Sequence, residues 1–110
     1  MPLKNLPTKN PKALSDLVAK RPYQISSKML SSDSDVSITL FSSTTDDGVM
    51  EESYPGDTMY YLVEGEAQVM MSSGASLLSE GDVMLVPAGT NHMVIGDGHD
   101  FKMLRITLQS

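Results

Sequence analysis

The sequence predicts an all-β domain, an antiparallel sandwich or barrel of short strands preceded by one short helix, and three observations carry that prediction. Across residues 56–96, brief apolar runs alternate with evenly placed turn signals. Residues 59–63 stop at Glu64-Gly65, residues 67–71 run into Ser72-Ser73-Gly74, and residues 83–86 run into Pro87-Ala88-Gly89-Thr90-Asn91. Val36, Ile38 and Leu40 alternate with Ser37, Thr39 and Phe41, the period of a half-buried strand. Helical spacing appears in residues 12–20, where Leu14, Leu17 and Val18 fall at i, i+3 and i+4.

Each element follows in order. Residues 1–11 contain Pro2, Pro7 and Pro11 among several lysines, which bars a regular element and predicts an extended surface arm. Residues 12–20 form a helix ended by Pro22; nine residues are too few to be stable alone, so its apolar stripe docks on the barrel or on a second subunit. Ile25, Met29 and Leu30 make residues 23–30 a strand, residues 31–35 are a polar turn, and residues 36–41 are a strand. Residues 42–48 are polar enough to form an exposed hairpin or loop, and residues 49–54 are the strand leading into the central segment. Leu77-Leu78 leads to the turn at Glu80-Gly81-Asp82, residues 96–100 make a tight turn carrying an exposed His99, and residues 101–108 are the last strand.

Composition sets limits on function. A chain of 110 residues, 40% hydrophobic, has room for one core, so residues 1–21 read as arm and helix and residues 22–110 as a single barrel domain. Cysteine is absent, which excludes disulfides, thiolate nucleophiles and cysteine-based metal sites. No run approaches the ~18 apolar residues of a membrane helix and the N-terminus lacks a signal-peptide core, so no membrane partner and a cytoplasmic location are expected. With 8 Lys and Arg against 14 Asp and Glu, the net charge of -6 opposes phosphate backbones, so no nucleic-acid partner is expected.

The central segment resembles the cupins. Their second motif, G-x5-P-x-G-x2-H-x3-N, is met by Gly81, Pro87, Gly89 and His92 at the family spacing, with Gly96 where the asparagine is usual. Their first motif, G-x5-H-x-H-x3-E-x6-G, ends at Gly65, and YLVEGEAQV is similar to the run that closes it. Thr58, Tyr54 and Glu52 stand where the family's glutamate, second histidine and first histidine are usual. The resemblance therefore implies the double-stranded β-helix of the cupin jelly roll without implying the usual metal chemistry. It also implies that Thr58, Tyr60 and Leu62 face the barrel interior, with Tyr61 and Val63 outside, and that His92 and Val94 share the inner face with Met84 and Val86.

The resulting cavity is mainly apolar, with His92, Tyr54, Thr58, Tyr60 and Met84 as candidate ligand-binding residues. By itself a lone histidine beside a turn is more often structural; the motif match makes His92 a cavity residue able to ligate metal, act as a base or hydrogen-bond a ligand. Glu51 reads as a solvated strand-end charge. A divalent metal on His92 with Glu52 or Asp57 is the disfavoured alternative, because well-formed transition-metal sites supply more nitrogen or sulfur ligands. The scattered methionines read as flexible core filler rather than a thioether site. The first-ranked function is a cupin binding a small, partly apolar ligand without a strong metal. A metal-dependent oxygenase or isomerase comes second and a structural module with a filled barrel third, and no residue is assigned a catalytic role. Exposed Tyr61 and Val63, together with the Leu14, Leu17 and Val18 stripe, predict a homodimer.

Overall fold

In the computed structural model, which describes residues 3–44 and 49–109, the alternating runs become eight strands: β1 (Ile25–Ser32), β2 (Val36–Ser43), β3 (Val49–Glu52), β4 (Thr58–Met71), β5 (Gly74–Ser79), β6 (Val83–Val86), β7 (His92–Ile95) and β8 (Phe101–Leu108). All pairings are antiparallel. One sheet runs β1-β2-β8-β4-β6 and the other β3-β7-β4-β5, so the two faces of the jelly roll share β4.

That sharing departs from the expectation that Glu64-Gly65 ends a strand. The chain instead bends without breaking: the β4–β8 register shifts between Leu62 and Glu64, and Gly65 takes φ +86° where β4 passes from the first sheet to the second. A side chain at 65 would meet the Asp100 carbonyl oxygen at 2.2 Å, and one at Gly96 would meet the His99 carbonyl oxygen at 2.0 Å. Gly65 therefore sits where β4 passes close to the chain entering β8, and Gly96 sits inside its own tight turn, each without room for a Cβ.

The interior is layered by register. Phe41, Met103 and Leu62 from the first sheet meet Val69 and Val94 from the second in a buried apolar layer, with Phe101, Ala67 and Leu78 beyond it. The layer on the other side is polar. Thr39, Arg105, Tyr60 and Met84 lie in register across the first sheet, and Glu52, His92 and Met71 across the second.

The N-terminal helix is smaller than its spacing predicts. Only a 3-10 turn, Leu14–Leu17, forms; Ala13 precedes it without a capping side chain, and Val18 is already extended. With no cap and a proline on either side, tertiary packing decides the conformation. Leu14, Leu17 and the buried Val18 pack on Leu30, Ile38, Leu40, Val63 and Leu104, so the stripe docks on this chain's own barrel. Lys102 adds a hydrogen bond from Nζ to the Ser15 carbonyl at 2.5 Å, and the Lys4 N–H bonds the Leu30 carbonyl at 2.9 Å along the outer edge of β1. Residues 42–43 also differ from the exposed loop expected of them. They extend β2 and are buried opposite Lys102 and Phe101, while residues 45–48 of that segment lie outside the described residues.

Gly65→Ala combines left-handed strain with a backbone clash and is expected to cost about 2–3 kcal/mol, whereas Gly74→Ala, at φ +134° with open space around it, is expected to cost only about 1 kcal/mol. Urea denaturation of the two variants measures the difference.

Candidate functional site

The polar layer is the chemical centre of the barrel, and strand parity builds it. Tyr60 points in from β4 because strand alternation puts it on the same face as buried Thr58 and Leu62. His92 opens β7 directly after the 87–91 turn and is 2% exposed. The two side chains meet between the sheets, with the Tyr60 hydroxyl 2.7 Å from His92 Nε2. The other ring nitrogen, Nδ1, lies 2.9 Å from the Thr90 carbonyl oxygen. A carbonyl only accepts, so Nδ1 carries the hydrogen, and in the neutral ring Nε2 is the acceptor for the phenol proton. Burial and then the Glu52 charge push the Tyr60 phenol well above its ordinary value of 10.0, outweighing the opposite pull of Arg105, so Tyr60 stays a donor.

Beside this pair stands an ionic one. Glu52, the direct cross-strand partner of His92, reaches Arg105, whose Nη1 lies 3.4 Å from both carboxylate oxygens. The Tyr54 hydroxyl donates to the same carboxylate. The guanidinium is flanked by the rings of Phe41 at 5.7 Å and Tyr54 at 5.4 Å, an arrangement suited to a delocalised cation. The side chains of Arg105 and Glu52 retain 21% and 24% exposure, whereas Tyr60 has none and Thr58 1%. Solvent therefore reaches the ion pair and Tyr54 but stops at the Tyr60–His92 contact. A depression of about 560 Å³ opens beside His92 at the rim, lined by Met70, Met71, Gly89, Thr90, His92 and Met93.

Of the residues expected at the site, His92, Tyr54, Tyr60 and Glu52 come together, and Met84 lies in the same layer, packed against the core. Thr58 lies one layer away, 3.4 Å from the Thr107 hydroxyl, in the packed wall. Asp57 turns outward, where its carboxylate accepts the Ala88 N–H at 2.9 Å and so holds the 87–91 turn that delivers His92. Val83 and Leu85 face outward as alternation requires, and His99 sits at the surface within 3.4 Å of Glu66. Arg105 is the polar-layer residue that the apolar reading of residues 101–108 overlooked. Its signal was parity: Phe101, Met103 and Arg105 occupy successive inward positions, so a cation there had to enter the barrel.

The donor set does not fit the metal that cupins usually hold. Among the described residues, the one histidine nitrogen there that could ligate is bonded to a phenol, the one adjacent carboxylate is matched by a guanidinium and a second phenol, and a fixed cation stands where a divalent ion would have to be tolerated. Among the described residues no three histidine, aspartate or glutamate side chains converge as a metal site.

Similarity places this geometry in a family. A crystal structure of a cupin superfamily protein from Desulfitobacterium hafniense matches with a TM-score of 0.95 and 40% identity over 100% of both chains. The chain belongs to the cupin superfamily. A conserved protein of unknown function from Streptococcus pyogenes is 26% identical, with a TM-score of 0.89 over 100% of this cupin and 96% of that chain. A cupin 2 conserved barrel domain protein from Leptotrichia buccalis shares the fold at 24% identity and a TM-score of 0.82, over 86% of this chain and 46% of that one. Among curated proteins, mannose-6-phosphate isomerase 2 of Arabidopsis thaliana is 34% identical over 56 residues, so this cupin matches 13% of that enzyme's length. No protein-family model matches the chain.

Tyr60→Phe leaves Nε2 of His92 buried without its donor and is expected to lower unfolding free energy by about 1–3 kcal/mol. The phenol's raised pKa gives a second readout. Its stabilising contribution is complete below about pH 10, where the unfolded phenol keeps its proton, and declines as pH rises further because only the unfolded chain ionises. Stability measured from pH 8 to 11 should therefore fall less steeply in Tyr60→Phe than in the parent.

Proposed function

We propose that this cupin binds a small, partly apolar organic ligand at the mouth of its barrel and holds no strong metal of its own. The carrying observation is that Tyr60 occupies His92 Nε2 while Arg105 and Tyr54 occupy Glu52, so the donors a metal would need are committed to hydrogen bonds. Partly exposed polar groups next to Met71 and Met84 are the kind of lining that orients a small ligand. The enzyme reading draws on the pairing of Glu52 with His92, yet it requires both residues to abandon these partners. The filled-barrel reading draws on the full burial of Tyr60, Leu62 and Val69, which limits ligand access to the mouth.

Metal analysis of protein prepared without a histidine tag tests the first half of this reading. Well below one Fe, Mn, Zn, Ni or Cu per chain is expected, together with a thermal shift from a small organic ligand that His92→Ala or Tyr54→Ala removes. Stoichiometric metal that disappears in His92→Ala would instead establish the metal-dependent reading.

We also propose a homodimer through the outer face of the β1-β2-β8-β4-β6 sheet. The N-terminal segment covers one part of that face, and the remainder leaves Val83 and Leu85 exposed at 62% and 57% beside Met59. A contiguous apolar strip of this kind is covered most simply by a two-fold copy of itself. Light scattering is expected to give twice the chain mass of 11.9 kDa, and Leu85→Glu to return it to the single-chain value.

A further inference from the structure

We infer that the ligand of the mouth is a small organic monocarboxylate whose carboxylate sits on Arg105 in the place now taken by Glu52. This inference rests on the metal-free binding reading above and adds the ligand's class.

The argument starts from the fit between Arg105 and Glu52. A well-formed guanidinium–carboxylate pair makes parallel bonds of about 2.7–2.9 Å from two nitrogens. Here a single nitrogen, Nη1, spans both oxygens of Glu52 at 3.4 Å. The guanidinium carbon stands over the Phe41 and Tyr54 rings at 5.7 and 5.4 Å, contacts that help position Arg105 independently of Glu52. The Tyr54 hydroxyl supplies a further donor to whichever carboxylate is present. Arg105 is thus a prepared receptor for a planar two-oxygen anion, loosely occupied by a side chain of the same chemistry.

Glu52 is placed to yield. It is the last residue of β3, a four-residue strand that pairs with β7 alone and with an irregular register. Both partners are partly exposed, so a carboxylate from solvent can compete for Arg105 as Glu52 turns toward water. The exchange leaves the site's net charge unchanged. A phosphate dianion is disfavoured, because Arg105 is the only lysine or arginine in the polar layer among the described residues. The apolar remainder of the ligand would meet Met71 and Met84, which flank the layer on its two sheets.

This arrangement predicts an inverted mutational signature. If Glu52 were a metal ligand or a direct ligand contact, its loss would weaken binding; as an internal competitor, its neutralisation strengthens it. The experiment is a titration of the full chain with propionate, lactate and benzoate, with propionamide as the neutral isostere and inorganic phosphate as the alternative anion, followed by NMR of the Arg105 side chain. Expected are carboxylate binding that perturbs Arg105, affinity roughly tenfold higher in Glu52→Gln, and affinity roughly tenfold lower in Arg105→Lys, which keeps the charge but loses the fork. Should Arg105→Lys fail to fold, Glu52→Gln decides alone. Propionamide binding as tightly as propionate, phosphate binding more tightly than the carboxylates, or weaker binding in Glu52→Gln would each overturn the carboxylate inference while leaving small-ligand binding standing. Absence of binding by every organic probe, charged or neutral, would overturn both.

Discussion

The hydrogen bond from Tyr60 to His92 is the constraint on which the barrel's interior depends. It joins the two sheets at a layer where polar groups from both are turned inward, and it satisfies two groups that would otherwise be buried without partners. A protonated phenol and an imidazole with its hydrogen on Nδ1 fit each other in one orientation, so the contact also fixes the tautomer of His92 through the Thr90 carbonyl. Below it the barrel is apolar and closed; above it Glu52, Tyr54 and Arg105 remain within reach of water. The division between core and site is therefore drawn by one pair of side chains.

The ion pair next to it is poor material for a pure stability element. Placing a guanidinium and a carboxylate where each keeps under a quarter of its exposure removes much of their hydration, and the 3.4 Å contact returns less than a close pair would. Hydrophobic residues would fill the same positions at lower cost. Loose pairing in a partly wet site is instead the compromise expected where a charged group must remain available to something else.

Much of this was legible in advance. The period-2 runs located most strands, and the glycine, proline and histidine spacing of residues 81–92 located the turn that delivers His92. Strand parity together with the cupin resemblance placed Tyr60 and His92 inside the barrel, although nothing in linear sequence states that their polar atoms meet. Three features were hidden for physical reasons. Gly65 looks like a stop because glycine usually ends strands, yet here it lets β4 change sheets. The 12–20 stripe looks helical because a single 3-10 turn followed by an extended Val18 can also present Leu14, Leu17 and Val18 to one surface. Arg105 was masked by the apolar residues around it, since an inward-facing cation among hydrophobic neighbours gains meaning only once Phe41, Tyr54 and Glu52 are brought to it from elsewhere in the chain.

The order of strands in the first sheet carries a consequence for synthesis on the ribosome. β2 takes its inner partner from β8, and the 3-10 turn is anchored by Lys102, 87 residues away from Ser15. The β1–β2 hairpin therefore emerges ahead of β8 with Leu40 and Phe41 lacking their mates, and its apolar surfaces stay uncovered until β8 has been translated. Closing such distant contacts is entropically slow, and the waiting hairpin is the segment most exposed to association with other nascent chains or to capture by chaperones.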